Sequence, residues 1–249
     1  MIKLLTPDRT NEFISFCKST VLGSVILTKL LAYGLDTPIQ YFWYGESDGK
    51  ITSVLNLDAS LLTVSGMTDS ADELFEFIRI IGANSVYSDV APEFKIKSSK
   101  RDDILIFKRN TERAEAENID SESIKNIFPV IYEECPTDGQ KIIFGSWYPD
   151  ISLKIRRGLI RSKGIMRDDK LVSCAVTCAE NETTAVITGV ATLKKYRRNG
   201  FAKKCVIALA NELKSENKRV YLITDNEKTK KWYEKMGFEH FSYRYSYEL

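Results

Sequence analysis

The run from Thr184 to Leu213 limits the possible folds of this chain more than any other. Val186-Ile187-Thr188-Gly189-Val190-Ala191-Thr192 is apolar and rich in β-branched residues, so it reads as a buried strand. The run then breaks into Lys194-Lys195-Tyr196-Arg197-Arg198-Asn199-Gly200-Phe201-Ala202. Beyond the break, apolar residues fall at Ala202, Cys205, Val206, Leu209 and Leu213, a helical spacing. A basic, glycine-containing turn therefore sits between a strand and a helix start. Unpaired backbone N–H groups and the positive end of the helix dipole converge there, an arrangement that suits an anion such as a phosphate.

The hexapeptide Arg197-x-x-Gly200-x-Ala202 resembles the Arg/Gln-x-x-Gly-x-Gly/Ala loop of the GNAT N-acetyltransferases, which holds the pyrophosphate of acetyl-CoA. Gly200 lets the backbone approach the phosphates, Ala202 is small enough for the helix to begin against them, and Arg197 and Arg198 supply charge. A second match follows. After a strand at Val220 to Ile223 come Asn226, Tyr233 seven positions on, and Glu234-Lys235-Met236-Gly237-Phe238. This order is similar to the Asn, Tyr and Glu-Lys-x-Gly-Phe pattern of the same family. The resemblance covers Ile165 to Phe238. It implies a GNAT (acyl-CoA N-acyltransferase) fold of the α+β class, with acetyl-CoA as co-substrate and no metal. It implies that Val190, Ala191 and Thr192 offer backbone groups to the pantetheine and the thioester carbonyl. Asn199, Gly200, Phe201 and Ala202 would form the phosphate loop, and Asn226 would cap the next helix and touch the cofactor. Tyr233, with an ordinary phenol pKa near 10, would protonate the leaving thiolate. Trp232 is assigned to the core. Val190-Ala191-Thr192 is similar to a Val-x-Thr variant of FR47-like members, although Lys194 stands where many members have Pro.

The 249 residues suit one large domain or two of about 120 residues. The acid-rich stretch Thr111 to Asn118 reads as a linker or a short exposed helix, and the domain boundary is placed there, dividing the chain into 1–112 and 119–249. In the second half, Gly164 to Met166 and Leu171 to Cys178 pair as a hairpin around Arg167 to Lys170. The third strand, the basic turn, a helix to about Lys214 and the strand at Val220 follow. The first half shows the same order: Gln40 to Tyr44 and Ile51 to Asn56 as a hairpin, a strand at Leu61 to Val64, a helix from Asp72 to Ile81, and a strand at Val86-Tyr87. An internal duplication is expected, so the chain is read as tandem-GNAT-like with mixed central sheets. The copies differ where the phosphate loop belongs. Between Val64 and Leu74 the first half reads SGMTDSADE, acidic and without the Arg or the Gly-x-Gly/Ala, so it is expected to be degenerate and to lack a CoA loop.

Other segments are read locally. Thr6-Pro7-Asp8 signals a helix start with a Thr cap, and Val25 to Tyr33 is a second helix. Ser121 or Ser123 opens a helix near Pro129. Tyr148-Pro149-Asp150 reads as a rigid polar turn before a helix that runs to Arg157.

Composition excludes several functions. The net charge of +2 gives no bulk attraction to polyanions or membrane surfaces. No apolar run approaches the roughly 18 residues of a spanning helix, and the N-terminal apolar core is too short for a signal peptide. Five cysteines without a CxxC read as free thiols of a cytoplasmic protein. With His240 as the single histidine, a His-rich metal site is excluded.

The sequence thus points to an acetyl-CoA-dependent N-acetyltransferase acting on a small-molecule or peptide amine. Tyr148 and Asp150 are candidates for holding that amine, at a cleft expected between the two halves. Glu133, Glu134, Glu180 and Glu182 are candidates for a general base. A non-catalytic acyl-CoA-binding regulatory or interaction protein is the main alternative. Six basic residues from Lys194 to Lys204 also raise nucleic-acid binding, but near-neutral charge and no pattern of stacking aromatics weigh against it. An aminoacyl-tRNA-dependent tandem transferase is a related option, and the intact pyrophosphate loop favours free acyl-CoA as donor over it.

Overall fold

The computed structural model describes residues 1–91, 98–109, 112–133 and 142–249. Thr111, Glu134 and Cys135 lie outside the described residues, and so does the side chain of Glu133.

The chain opens with β1 (Ile2–Leu4), and a 3-10 turn at Pro7–Arg9 leads into α1 (Thr10–Cys17). The expected Thr6 cap is not made: its side chain forms no capping bond, and Pro7 starts the turn through its fixed φ. The next helix, α2 (Val21–Tyr33), begins four residues before the sequence suggests, because Thr20 Oγ1 accepts from the N–H of Gly23 at 3.0 Å. A tight hairpin joins β2 (Gln40–Ser47) to β3 (Lys50–Asp58), and β4 (Leu61–Gly66), α3 (Ala71–Ile81) and β5 (Ser85–Ser88) follow. Then come β6 (Ser98–Phe107) and the two-residue β7 (Glu117–Asn118).

Of the two openings expected, Ser123 is the one used, but its side chain makes no cap. The turn before it is held by Asp120, whose Oδ1 accepts from the N–H groups of Glu122 (3.1 Å) and Ser123 (2.8 Å). A 3-10 turn at Ile124–Asn126 follows, then a π-helix at Pro129–Glu133. Pro129 has no N–H to continue an α-helical ladder, but it can begin a new helical segment. The remaining elements are α4 (Phe144–Arg156), β8 (Ser162–Arg167), β9 (Lys170–Glu180), β10 (Thr184–Thr192), α5 (Phe201–Ser215), β11 (Arg219–Thr224), α6 (Glu227–Glu234) and β12 (Phe238–Glu248).

Two compact units result. The first holds Met1–Leu105, Ile223–Lys230 and His240–Leu249; the second holds Ile106–Leu222 and Lys231–Glu239. A division at 112/119 follows chain order, and the structure departs from it at the C-terminus. There β12 pairs antiparallel with β5, from Tyr245 opposite Ser88 to Glu248 opposite Ser85. Buried Asp102 of β6 also accepts from Arg244 Nη2 at 2.6 Å and from Ser246 Oγ at 3.2 Å. The last strand is thus part of the first unit's sheet.

In the first unit the strand order is β1-β2-β3-β4-β5-β12-β6, antiparallel from β1 to β4 and parallel at β4–β5. One core gathers Phe13, Ile26, Leu27, Phe42 and Val54; a second gathers Leu62, Val64, Ile78, Val86 and Tyr247. In the second unit the order is β7-β8-β9-β10-β11, antiparallel up to β10 and parallel at β10–β11. Helix α5 lies against β8, β9 and β10 and buries Val206, Leu209 and Leu213 completely. Each such side chain contributes about 1.5–3 kcal/mol. Both units therefore run hairpin, antiparallel third strand, helix and parallel fourth strand, the order read as a duplication.

Candidate functional site

Strand β10 carries the site. On one side it pairs with β9, from Ala185 opposite Glu180 to Thr192 opposite Ser173. On the other it pairs with β11 only from Thr184 to Ile187. From Thr188 onward it continues in the described sheet with β9 alone, so one backbone edge is left for another partner. A bulge falls in this half, because Thr188 opposes Val176 and Ala191 opposes Cys174. Gly189 and Val190 share the single position of Ala175, which re-aims the backbone. Gly189 has φ +50, and a Cβ there would stand 2.9 Å from Cδ1 of Ile131 on the π-helix. Glycine suits this left-handed backbone, and Ile131 packs close over it.

The loop beyond is stiffened from within. Leu193 is buried and its N–H donates to Val172 O at 2.9 Å. Arg197 Nε donates to Thr192 O at 3.0 Å, and Asn199 Nδ2 donates to the carbonyls of Tyr196 (3.1 Å) and Arg197 (3.2 Å). Arg198 (φ +65) and Gly200 (φ +75) both take left-handed backbone. Gly200 is the first-position cap of α5 and supplies no side-chain oxygen, so the first-turn N–H groups of this 15-residue helix have no side-chain cap. A Cβ at Gly200 would meet nothing within 4 Å, which leaves open space over the helix end. Arg197 and Arg198 are exposed beside it. Phe201 and Ala202 are half-buried, and Arg167 lies over the Phe201 ring at 4.9 Å.

Beneath the loop lies a residue that sequence reasoning passed over. Fully buried Ser173 donates to Ala191 O at 3.0 Å, and its Oγ lies 2.8 Å from Thr192 Oγ1. Cys205 Sγ on α5 reaches the same oxygen at 3.9 Å. Ser173 thus ties the strand end to the helix. A serine inside the apolar run Leu171 to Cys178 gives no local sign of that role.

Tyr233 lies on α6, 7% exposed, with its ring 5.7 Å from Phe238 and 4.9 Å from half-buried Trp232. Its hydroxyl makes no hydrogen bond to a described residue. Burial pushes the phenol up to about 12, so it stays a neutral donor throughout the physiological range. Asn226 Oδ1 accepts from the N–H groups of Lys228 (2.9 Å) and Thr229 (3.2 Å) and caps α6. The units divide α6 itself: its residues up to Lys230 cluster with the first unit and those from Lys231 with the second. Val190 to Thr192, Arg197 to Ala202 and Tyr233 thus share one unit, and Asn226 belongs to the other.

A strand bulged where its parallel partner ends, followed by an open, basic helix start, matches a known family. Residues 122–238 match the acetyltransferase (GNAT) family. These residues belong to it. The class of chemistry is therefore acyl transfer. Solved structures agree on the fold. An acetyltransferase of the GNAT family from Colwellia psychrerythraea is 13% identical with a TM-score of 0.64, covering 100% of this chain and 99% of that one. A GCN5-related N-acetyltransferase from Sphaerobacter thermophilus is 12% identical with a TM-score of 0.62, covering 100% and 95%. A tandem GNAT protein of the clavulanic acid biosynthesis pathway, determined without acetyl-CoA, is 11% identical with a TM-score of 0.63, covering 100% and 98%. At these identities the likeness speaks for the fold alone, here a GNAT fold in two GNAT-like halves. No curated protein matches the chain in sequence.

Within the GNAT domain the structure corrects two local readings. Tyr148-Pro149-Asp150 is not a turn before a helix; it lies inside α4, which begins four residues earlier at Phe144. Pro149 is the sixth residue of this helix, so it lies inside the ladder and has no N–H to donate to the carbonyl of Gly145 four residues back. Asp150 therefore caps nothing and pairs with Lys154 one turn on at 2.8 Å. Tyr148 stacks on Phe144, centroids 5.5 Å apart, at the edge of an aromatic group with Trp147, Phe128 and Tyr132. The second correction concerns the base. Glu180 is 3% exposed and bound by Arg161 and Lys218 at the far end of β9, next to the start of β10 rather than its bulge. Exposed Glu182 sits in the turn at that same end. His240 is engaged elsewhere, its Nδ1 2.9 Å from Asp103. Among the described residues no group of three His, Cys, Asp or Glu side chains could hold a metal, and no helix is long and apolar enough to cross a membrane.

Proposed function

We propose that the GNAT domain transfers an acetyl group from acetyl-CoA to a primary amine. The observation that carries this is the uncapped start of α5 at Gly200, directly after the bulged, singly paired end of β10. The donor set fits a pyrophosphate: left-handed backbone at Arg198 and Gly200, open space over the helix end, and two exposed guanidinium groups. Acetyl-CoA, when bound, supplies the activated thioester.

The chain's own residues then divide the work. First-turn N–H groups of Phe201 and Ala202, with Arg197 and Arg198, hold the pyrophosphate, while Asn199 keeps the loop in shape. Val190, Ala191 and Thr192 present the free strand edge to the peptide-like pantetheine; Asn226 caps α6. Tyr233 donates its hydroxyl proton toward the departing sulfur. At about 12 it is a weaker acid than a thiol near 8.5, by about 5 kcal/mol at 1.36 kcal/mol per pKa unit. Its part is therefore to stabilise developing thiolate charge as a hydrogen-bond donor, the thiolate leaving with a proton taken from solvent while Tyr233 keeps its own.

The acceptor amine is assigned to the side where the π-helix meets the bulge through Ile131. Tyr148, on the aromatic face of α4, packs against its carbon skeleton, and Asp150, released from Lys154, accepts a hydrogen bond from the amine, which attacks in its neutral form after losing a proton to solvent. The basic stretch serves as a phosphate cradle rather than a nucleic-acid face, since Lys203 is already paired with Glu112 at 2.6 Å. Four free thiols among the described residues suit a reducing cytoplasm.

Calorimetry of acetyl-CoA with the intact chain and with Gly200→Glu tests the cradle. A loss of roughly 100-fold or more is expected, because the new carboxylate sits where the phosphates bind. Equal affinity would remove the assignment. An amine panel read by free-thiol release then separates transfer from the alternative of a non-catalytic acyl-CoA-binding protein, which binds acetyl-CoA but releases no thiol with any amine.

A further inference from the structure

We propose that the first unit holds a second binding site, independent of acyl transfer, for a small organic amine with a ring-sized apolar body. The parallel pairing of β4 and β5 ends at Val64 opposite Ser88, although β4 runs on to Gly66. A cavity of about 160 Å³ opens at this point, walled by Val64, Leu74, Val86, Val90 and Tyr247. It is as large as the roughly 150 Å³ apolar cavity known to accept benzene. The walls are firmly held. Asp89 accepts from Ser65 Oγ at 2.5 Å and from the N–H of Gly66 at 2.9 Å, which fixes the end of β4 to the chain beyond β5.

The charge at this site is opposite to that at the loop in the second unit. Ser70 Oγ accepts from Glu73 N at 3.2 Å and caps α3, and Asp72 and Glu73 occupy its first turn. The helix dipole is thus already satisfied by oxygen, and a phosphate would meet carboxylates. Asp69, half exposed and 3.8 Å from the chain's amino group, is the one charged side chain among the described lining residues. The other polar groups are largely satisfied from within: Ser88 Oγ accepts from Val90 N at 3.1 Å and Tyr247 donates to Val90 O at 3.4 Å. The ligand's interior part is therefore apolar, and its one polar group is a cation at the rim beside Asp69.

Benzylamine, benzyl alcohol and phenylacetate are the probes, titrated into the full chain by calorimetry. Benzylamine is expected to bind at about millimolar strength, the alcohol several-fold more weakly and the carboxylate not measurably. Asp69→Asn removes the preference for amine over alcohol. Ala71→Phe, on the half-buried lining of the first turn of α3, blocks both. Nuclear Overhauser contacts from the ring protons to the Val86 methyl groups locate the ligand in the wild-type chain even if that variant folds poorly. Absent binding, binding that survives a folded Ala71→Phe, contacts elsewhere, or indifference to the charge of the probe would each overturn the proposal. Gly200→Glu leaves benzylamine binding unchanged, which separates this site from the acetyl-CoA cradle.

Discussion

Replacing Tyr233 by Phe separates what the hydroxyl does for the fold from what it does for the chemistry. The ring is buried against Phe238 and Trp232, and Phe keeps those contacts. The hydroxyl makes no hydrogen bond to a described residue, so its removal strands no partner. Stability near neutral pH should change by less than about 1 kcal/mol, and a small gain is as consistent as a small loss. Turnover should fall roughly 100-fold, or about 2.7 kcal/mol of transition-state stabilisation, with acetyl-CoA affinity little changed. At high pH the order of stabilities should shift. The folded phenol titrates at about 12 and the unfolded one near 10, so the unfolded chain loses its proton first. The wild type should therefore lose about 2–3 kcal/mol relative to the variant as pH rises from 10 to 12, with no difference developing below pH 10. Denaturant melts of both proteins across that range, with single-turnover assays at pH 8, check each part. A variant that turns over at the wild-type rate would move the donor elsewhere. A loss of 2 kcal/mol or more at pH 7 would show that the hydroxyl is structural.

Three further outcomes are expected. Asp102→Asn leaves Arg244 without its carboxylate beside β12 and should cost about 3 kcal/mol in chemical denaturation, whereas exposed Glu239→Gln should cost almost nothing. Hydrogen bonds from Arg161, aided by Lys218, hold Glu216 down to about 2; its contribution is complete above the ordinary carboxylate range and fades as pH falls toward 2, so Glu216→Gln should flatten acid unfolding between about pH 4.5 and 2. With an acceptor in hand, Tyr148→Ala and Asp150→Asn should raise its KM about ten-fold with acetyl-CoA affinity unchanged, and unchanged KM in folded variants would leave these residues a structural role alone.

The parts of the site legible in the sequence are those built by near neighbours. A strand, a glycine-bearing basic turn and a helix start fall within one run, so the strand-to-helix turn at Arg197 to Ala202 and the start of α5 at Gly200 follow from neighbouring residues. Asn226 could be read as a cap because its partners, Lys228 and Thr229, are two and three residues away. The hairpins and the amphipathic helices α3 and α5 follow from period alone, and with them the repeated order of elements in the two halves.

Tertiary structure decided the rest, because the deciding partner is distant or the local signal points the wrong way. Pro149 reads as a helix breaker, yet α4 runs through it, and Asp150 thereby gains Lys154 as a partner. Pro129 opens a π-helix whose Ile131 meets Gly189 across 58 positions of sequence. Glu180 was one of four acids open as a base in the sequence, and Arg161 and Lys218, distant along the chain, bind it in an ion cluster away from the bulge. The last strand looked like the end of the second half, but pairing with β5 and the buried charge of Asp102 draw it into the first unit. Periodicity specifies which face of an element is apolar. It does not specify which of several competent edges a strand will join, since every edge offers the same backbone groups and only side-chain packing distinguishes them.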